Sequence, residues 1–258
     1  MRLKEPIVSV IIPTYNRAHL ITRSVKSVLK QTSQNFEIII VDDYSTYETK
    51  DIIKKFKDPR IKYVKNDTNK GAGAARNKRI KCYVGEYLAF QDSDDEWDPE
   101  KLEKQMDIFN KKGPKYGVVY TDMFRVLEDN TILYWNSPTI MLGKFINEDT
   151  MEYQVYGIGM SSTVIRRVCF EKVGLFDERF PRFIDLELFI RLSNLYNFYL
   201  IKEPLVKYYA TPGISTDYNA MFIARKLIVE KHYDEIKKER KFLSKECFRV
   251  GYLILRLV

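Results

Sequence analysis

The first half of the chain alternates short apolar segments with segments whose apolar residues recur at helical spacing. Val8–Ile12 ("VSVII") is β-branched and almost continuously apolar, which is typical of a strand buried on both faces. Residues 20–29 then place Leu, Ile or Val every three or four positions, as on one face of a helix. Three more strand–helix pairs follow, with strands at 36–41, 61–65 and 87–91 and helices at 49–56, 72–81 and 99–111.

This alternation predicts βαβ units and therefore a parallel sheet covered by helices. Beyond Gly113-Pro114 the pattern is less regular. It predicts strands at 117–121 and 162–166, a hairpin over 123–135, a helix over 185–196, and a mostly helical chain from Asp217 onward.

We therefore predict an α/β fold with a mainly parallel, Rossmann-like sheet flanked by helices. Residues 1–216 form the predicted main domain, with a nucleotide-binding half at about 1–115 and an acceptor half at about 116–216. Residues 217–258 form a predicted helical C-terminal extension.

Composition supports a globular protein, since 45% of the 258 residues are hydrophobic and 14% are aromatic. A secretory signal needs roughly 7–15 consecutive apolar residues, but the first apolar run stops at Pro13. No uncharged apolar run approaches the roughly 18 residues of a membrane-spanning helix. We expect a cytoplasmic protein, in contact with the inner face of the cell membrane only peripherally if at all.

Charge is concentrated near the C-terminus. The formal net charge is +8, and Arg225–Val258 contains ten Lys or Arg against five Asp or Glu, a balance of +5. The final "CFRVGYLILRLV" has the pattern of a basic amphipathic helix that rests on a membrane, or of a helix that packs on the domain or on a partner chain in an oligomer. Nucleic acid is not an expected partner, because no recognition motif accompanies the basic residues. The two histidines, His19 and His232, are expected at the surface.

Polar loops follow the four predicted strands of the first half. The carboxyl ends of parallel strands meet at one edge of a sheet, where ligands of open α/β sheets bind. Each loop alone is compatible with an ordinary turn, so their convergence is the observation that indicates a site. The loops are "PTYNR" (13–17), "DDYST" (42–46), "NKGAGAARN" (69–77) and "DSDD" (92–95).

The fourth loop crowds three carboxylates, Asp92, Asp94 and Asp95. Like charges this close are unfavourable unless a cation lies between them. Carboxylate oxygens suit Mg²⁺ or Mn²⁺, and Mg²⁺ commonly takes one or two carboxylates together with substrate phosphates. The alternative is a solvated acidic loop whose last member, Asp98, caps the next helix.

In this order and spacing the motifs resemble the family 2 glycosyltransferases, which are inverting enzymes of the GT-A fold. The resemblance runs from about Val8 to Ser215 and includes the later segment "SSTVIRRVCFEKVGLFDERF". It implies a nucleotide-sugar donor, with a UDP-sugar favoured, a hydroxyl acceptor on a glycan or lipid-linked glycan, and a divalent cation, Mn²⁺ or Mg²⁺.

The resemblance also implies residue roles. Asp94 corresponds to the metal ligand, Asp92 to a ribose contact, and Asp95 to a residue near the donor sugar. Of the paired aspartates after the second strand, Asp42 is the favoured contact of the base. The other positions that match donor-binding residues are Pro13, Thr14, Tyr15, Arg17, Asp43, Gly71, Arg76 and Ser93.

The segment "RFIDLELFIRL" matches the part of the family that carries the catalytic base, and Asp185 matches the base itself. We expect the helix dipole to keep Asp185 ionised, although a simple helix cap is the alternative interpretation. The chain departs from the family pattern at Ile184, where a second acid is usual, and at Thr211, where many relatives have histidine.

Two other functions remain open at this point. "GAGAAR" begins like the dinucleotide-binding pattern of an oxidoreductase, with Asp92 about 20 residues further on, but Arg76 stands at the third glycine position. A nucleotide-sugar-binding relative without catalysis is kept open by Ile184 and Thr211.

Overall fold

A computed structural model describes residues 6–46, 48–80, 85–137, 158–210 and 217–238. Within these residues nine strands form one mixed sheet, in the order β3-β2-β1-β4-β8-β6-β9-β5, with β7 paired to β6. The strands are β1 Val8–Thr14, β2 Phe36–Asp42, β3 Ile61–Lys65, β4 Tyr87–Phe90, β5 Glu96–Trp97, β6 Tyr116–Val126, β7 Ile132–Trp135, β8 Val164–Arg166 and β9 Asn197–Tyr209.

Helices cover both faces of this sheet. They are α1 Ala18–Leu29, α2 Thr49–Lys54, α3 Gly71–Ile80, α4 Lys101–Lys112, α5 Arg167–Val173, α6 Ile184–Ser193, α7 Tyr218–Lys231 and the single turn α8 Tyr233–Ile236. Alternate residues of each central strand point to opposite faces, so Val10 packs with α1 and α4 while Ile11 packs with α3, α6 and α7. The near-continuous apolar strands of the sequence are explained by this two-sided burial.

The first half of the fold follows the predicted pattern. Strands β3, β2, β1 and β4 are all parallel. The sheet is extended from β1 to β2 and β3 on one side, and then to β4 on the other side of β1, so the strand order reverses between β1 and β4. Such a reversal opens a crevice beyond the carboxyl ends of the two strands. Strand β1 continues through Pro13 to Thr14, two residues beyond the predicted end, and places both residues at this crevice.

The second half differs from the prediction in its strands. Residues 116–126 form one long strand, and β9 was missed altogether. Its central Lys202-Glu203-Pro204 resembles a turn in sequence, since proline disfavours a strand interior. The structure accommodates Pro204 through a shift of register against β6, where Thr121 pairs with Ile201 and Asp122 with Pro204. Strands β5 and β8 are antiparallel to their neighbours, so only the first half of the sheet is purely parallel.

The described part of the C-terminal extension packs on the main domain. Asp217 caps α7 by accepting a hydrogen bond from the Ala220 amide at 2.9 Å, and Ala224 and Ile228 join the same core as β4 and α6. The boundary at 216/217 remains a prediction. Thr211 and the amphipathic segment 247–258 lie outside the described residues. Among the described helices, none combines the length and apolar character needed to cross a membrane.

A buried carboxylate joins α6 to the end of α7. Glu187 is fully buried and accepts hydrogen bonds from Arg191 at 2.7 and 2.8 Å and from Lys231 at 2.8 Å. Its Oε1 lies 3.3 Å from Nε2 of His232, which is buried and not at the surface as the sequence suggested. Burial alone raises the pKa of Glu187, but hydrogen bonds from His232, Arg191 and Lys231 outweigh it and lower the pKa to about 2.

We expect Glu187→Gln to lower the free energy of unfolding at pH 7 by about 3 kcal/mol, because it leaves cations without their buried counter-ion. The native pKa of Glu187 is below its unfolded value, so its stabilisation is present above about pH 4.5 and is lost as pH falls towards 2. Urea unfolding of both proteins between pH 2 and pH 7 measures this difference.

Asp107→Asn is the matched control, since Asp107 pairs with Lys111 on the exposed face of α4. We expect it to cost less than about 1 kcal/mol. Equal losses for the two variants, or a Glu187→Gln loss that stays constant down to pH 2, would contradict the assignment.

Candidate active site

The loops after β1 and β2 are hydrogen-bonded to each other at the crevice. The Asp43 amide donates to the Thr14 carbonyl at 2.8 Å, and the Asn16 amide donates to Ser45 Oγ at 2.9 Å. The Thr46 amide returns a bond to Asn16 Oδ1 at 3.0 Å. The two loops therefore form one unit, and Tyr15 projects from it with 46% of its surface exposed.

The paired aspartates Asp42 and Asp43 are buried and already satisfied by the protein. Asp42 accepts hydrogen bonds from the Ser45 amide at 2.7 Å and from the Tyr63 hydroxyl at 2.5 Å. Burial raises the pKa of Tyr63, and the Asp42 carboxylate adds to this rise. Asp43 accepts from Asn66 at 2.8 Å and from the Gly71 amide at 2.7 Å. Both side chains build the loops, which the sequence interpretation of a base contact did not anticipate.

Helix α3 begins at Gly71 and carries Arg76 towards the acidic loop. Gly71 has a φ of +84°, a conformation that glycine adopts without strain, and a Cβ atom built there would have no neighbour within 4 Å. Glycine is therefore required at this position by the backbone conformation of the turn and not by lack of space. Arg76, one turn and a half later, is buried and donates to Asp92 Oδ1 at 2.8 Å.

The acidic loop after β4 is held by arginines. Asp94 forms an ion pair with Arg17, and its carbonyl accepts a hydrogen bond from Arg23. Asp92 pairs with Arg76 and keeps 38% of its side chain exposed, whereas that of Asp94 is 12% exposed. Repulsion among the acids is thus relieved by the protein's own cations, so crowding alone does not require a metal.

Ser161 connects this loop to the second half of the sheet. It lies in a single 3-10 turn, Met160–Ser162, and its Oγ donates to Asp95 Oδ2 at 2.6 Å while accepting from the Asp92 amide at 3.0 Å. Its carbonyl accepts from the Trp97 indole at 2.8 Å. The sequence analysis placed this residue in a family-like segment but gave it no role. Ser93 is buried and lies in sequence between Asp92 and Asp95, the two residues that Ser161 bridges.

Burial is the largest influence on the pKa of Asp92 and on that of Asp95. It raises the pKa of Asp92, and the Arg76 guanidinium opposes that rise. Burial also raises the pKa of Asp95 well above its usual range, reinforced by repulsion from Asp92 and Asp94. Hydrogen bonds from Ser161 and from the Tyr209 amide, at 3.2 Å, act in the opposite direction on Asp95.

Asp185 is the second residue of α6, near the start of the helix as expected. Its Oδ1 accepts from the Leu186 amide at 2.9 Å. Burial raises its pKa, and this outweighs the favourable backbone and Arg76 interactions. Burial therefore opposes the effect expected of the helix N-terminus at this carboxylate. Phe183, immediately before the helix, has a φ of +59° and its ring lies between the guanidinium groups of Arg182 and Arg225.

Ile184 has a packing role in place of the usual second acid. A Cβ atom built at Gly73 would lie 3.6 Å from Ile184 Cδ1, so α3 and α6 approach each other closely at this point. A carboxylate at position 184 would meet this apolar contact.

One cavity of about 520 Å³ brings the acidic loop and Asp185 together. Its lining also includes Trp135 and Tyr208, whose rings are 6.0 Å apart and perpendicular. The predicted site residues that do not line this cavity are Pro13, Thr14, Tyr15, Arg17, Asp42, Asp43, Ser93 and Asp94. The predicted site residues that line it are Gly71, Arg76, Asp92, Asp95 and Asp185.

The described residues contain no group of three acidic, histidine or cysteine side chains that could hold a metal unaided. They do fit a cation that takes its other ligands from a diphosphate, because Asp94 supplies a hard carboxylate oxygen. The guanidinium of Arg17 already places positive charge at this carboxylate. Asp94 is therefore the residue that would hold the metal, in competition with Arg17.

Comparison with known proteins agrees with this geometry. The family described as "Glycosyl transferase family 2" matches residues 9–174, which is more than half of the chain. The chain belongs to this family. The matched part contains the four loops and the acidic residues, whereas Asp185 lies beyond it. The membership gives no support to the dinucleotide oxidoreductase alternative.

Several curated members of glycosyl transferase family 2 are similar to the chain. A UDP-Glc:α-D-GlcNAc-diphosphoundecaprenol β-1,3-glucosyltransferase, WfgD of Escherichia coli, is 36% identical over 62% of the chain and 60% of its own length. The putative teichuronic acid biosynthesis glycosyltransferase TuaG of Bacillus subtilis is 41% identical over 50% of the chain and 51% of its own length. The chain thus matches between half and about three fifths of the length of these relatives.

Solved structures confirm the GT-A fold. TarS of S. aureus in complex with UDP-GlcNAc superposes with a TM-score of 0.69 at 23% identity, over 86% of this chain and 66% of that one. The mannosyltransferase PcManGT of Pyrobaculum calidifontis, in complex with GDP-Man and Mn²⁺, gives 0.63 at 18% identity, over 91% of this chain and 65% of that one. At these identities the likeness establishes the fold.

We expect Ser161→Ala to lower the free energy of unfolding by about 1–2 kcal/mol, because the Asp92 amide and the Asp95 carboxylate both lose a buried partner. Thermal unfolding followed by circular dichroism measures the change. Ser193→Ala is the control, since the buried Ser193 hydroxyl donates to the Ile190 carbonyl of its own helix, at 2.9 Å, and so bridges no separate elements among the described residues. A loss no larger than that of the control would contradict the bridging role.

Proposed function

We propose that the chain transfers a glycosyl unit from a nucleoside diphosphate sugar to a hydroxyl group of an acceptor, with inversion. The observation that carries this proposal is that one cavity is lined by Asp92, Asp95 and Asp185. Arg76, together with a divalent cation at the acidic loop, would suit a charged diphosphate donor, and Asp185 suits a hydroxyl that must lose a proton. A site for binding alone would not need Asp185 at this position.

The donor is held at the arginine-rich end of the cavity. Arg76 is buried, forms an ion pair with Asp92 and lines the cavity, so its guanidinium can donate charged hydrogen bonds to a departing diphosphate. Asp94 would hold the divalent cation, Mn²⁺ or Mg²⁺, which would supply Lewis-acid stabilisation of the negative charge on the leaving diphosphate. Asp92 contacts the ribose, and Asp95, anchored by Ser161, lies beside the donor sugar.

Asp185 is the general base. The acceptor oxygen bonds to the anomeric carbon while the bond from that carbon to the diphosphate oxygen breaks and its electron pair leaves with the diphosphate. The hydroxyl proton passes to the Asp185 carboxylate. Its raised pKa favours this transfer, because a carboxylate that is a stronger base accepts a proton more readily.

The relatives indicate the substrate classes. WfgD is named for a UDP-glucose donor and a diphosphoundecaprenol-linked acceptor, and TarS was solved with UDP-GlcNAc. We propose a UDP-sugar donor and a lipid-linked or glycan acceptor in the assembly of a cell-surface polysaccharide. Such an acceptor places the protein at the cytoplasmic face of a membrane, in peripheral contact with it.

We expect Asp185→Asn to reduce transfer by at least about 100-fold, because the amide cannot accept the hydroxyl proton. UDP release is measured with UDP-glucose and UDP-GlcNAc as donors and GlcNAc-diphosphoundecaprenol as acceptor. Calorimetric titration with UDP should give the wild-type affinity, since the donor is held by other residues. Transfer at the wild-type rate would exclude Asp185 as the base. A wild-type protein that binds UDP yet transfers no sugar to any acceptor would favour the non-catalytic relative.

We expect UDP to bind more tightly in the presence of Mn²⁺ than without it, and GDP to bind more weakly than UDP. Asp94→Asn should remove the effect of Mn²⁺, because its carboxylate is the ligand that the metal needs. Asp98→Asn is the matched control, being the same change of charge on an exposed residue whose carboxylate accepts a hydrogen bond from the Glu100 amide, at 3.0 Å. Mn²⁺ dependence that survives Asp94→Asn would contradict the metal assignment.

A further inference from the structure

Tyr44 has a backbone conformation that its residue type disfavours. Its φ is +74°, in the left-handed region that costs a bulky residue about 1–2 kcal/mol. A turn that needs this conformation is normally supplied with glycine or asparagine. Asn16 and Asn130, which also have a positive φ, follow that rule.

Packing within the protein does not account for the conformation of Tyr44. Its side chain is 49% exposed, and it belongs to neither apolar core. Phe183, which has a similar φ, differs because its ring is packed between two arginines. A strained residue that gains little burial in the free protein indicates a functional constraint.

The position of Tyr44 is fixed at the crevice. Its neighbours Asp43 and Ser45 make the hydrogen bonds that join the β2 loop to the β1 loop, the loop that carries the exposed Tyr15. Lys65 Nζ donates to the Ser45 carbonyl at 2.7 Å and lies 5.7 Å from the centre of the Tyr44 ring. The ring is thus presented on a rigid loop beside a positive charge, at the edge of the sheet where the donor binds.

We propose that the exposed ring of Tyr44 stacks on the base of the nucleoside diphosphate donor. This inference rests on the proposed function and adds a nucleotide-binding residue to it. Stacking of a base on an aromatic ring is worth about 1–3 kcal/mol, enough to offset the cost of the left-handed backbone. It also assigns base contact to an exposed group, whereas Asp42 and Asp43 are buried and each already accepts hydrogen bonds from the protein on both oxygens.

The test compares Tyr44→Gly with Tyr44→Phe by calorimetry, with UDP and with inorganic pyrophosphate, each in the presence of Mn²⁺. Pyrophosphate has no base, so it reports on the metal and phosphate part of the site alone. We expect Tyr44→Gly to weaken UDP binding about tenfold, to leave pyrophosphate binding unchanged, and to leave the melting temperature unchanged or raised, because glycine relieves the strain. Tyr44→Phe should bind UDP like the wild type.

Asn130→Gly is the matched control, since Asn130 is another exposed residue of positive φ but lies in the turn between β6 and β7. It should leave UDP affinity unchanged. Wild-type UDP affinity in Tyr44→Gly would overturn the stacking proposal and leave the proposed function intact, and equal weakening of UDP and pyrophosphate would assign Tyr44 a structural role. A wild-type protein that binds neither UDP nor pyrophosphate would overturn the proposed function as well.

Discussion

The site depends on how three carboxylates are kept close together at the end of β4. Arginines from two other elements supply the compensation, Arg17 from the end of β1 and Arg76 from α3. Each pair crosses between segments that are distant in sequence, so the charges fix the relative positions of the loops as well as neutralising one another. Removing any partner would leave a buried or half-buried charge uncompensated, which is more costly than the pair is favourable.

The same constraint joins the two halves of the fold. Ser161 comes from the mixed part of the sheet, yet its hydroxyl holds both Asp92 and Asp95. Helix α6, which carries Asp185, is anchored through Glu187 to Lys231 and His232 at the end of α7. The acidic loop and Asp185 thus belong to separate elements whose separation is set by buried polar contacts. Catalysis between two bound substrates requires such fixed geometry.

The sequence predicted the part of the fold in which the hydrophobic pattern keeps one periodicity, that of a strand or that of a helix, over several residues. Buried parallel strands, amphipathic helices and polar strand ends were all visible in this way, and they lead to the crevice. The sequence did not predict β9, because Lys202-Glu203-Pro204 interrupts the strand pattern and only pairing with β6 compensates. It also gave no role to Ser161, although it singled out the segment that contains it, since the contact of this serine with Asp95 exists only in the folded chain. The pKa of Asp185 depends on burial, a property of the folded chain.

Burial divides the acidic residues of the crevice into two groups with different tasks. Asp42 and Asp43 each accept hydrogen bonds from the protein on both carboxylate oxygens, so part of their acceptor capacity is already used in building the loops. Asp92 and Asp185 instead retain surface on the cavity. The sequence alone therefore does not distinguish acids that stabilise a loop from acids that contact a substrate. The partners of each carboxylate in the folded chain distinguish the two, and they favour exposed groups of the same loops as the ligand contacts.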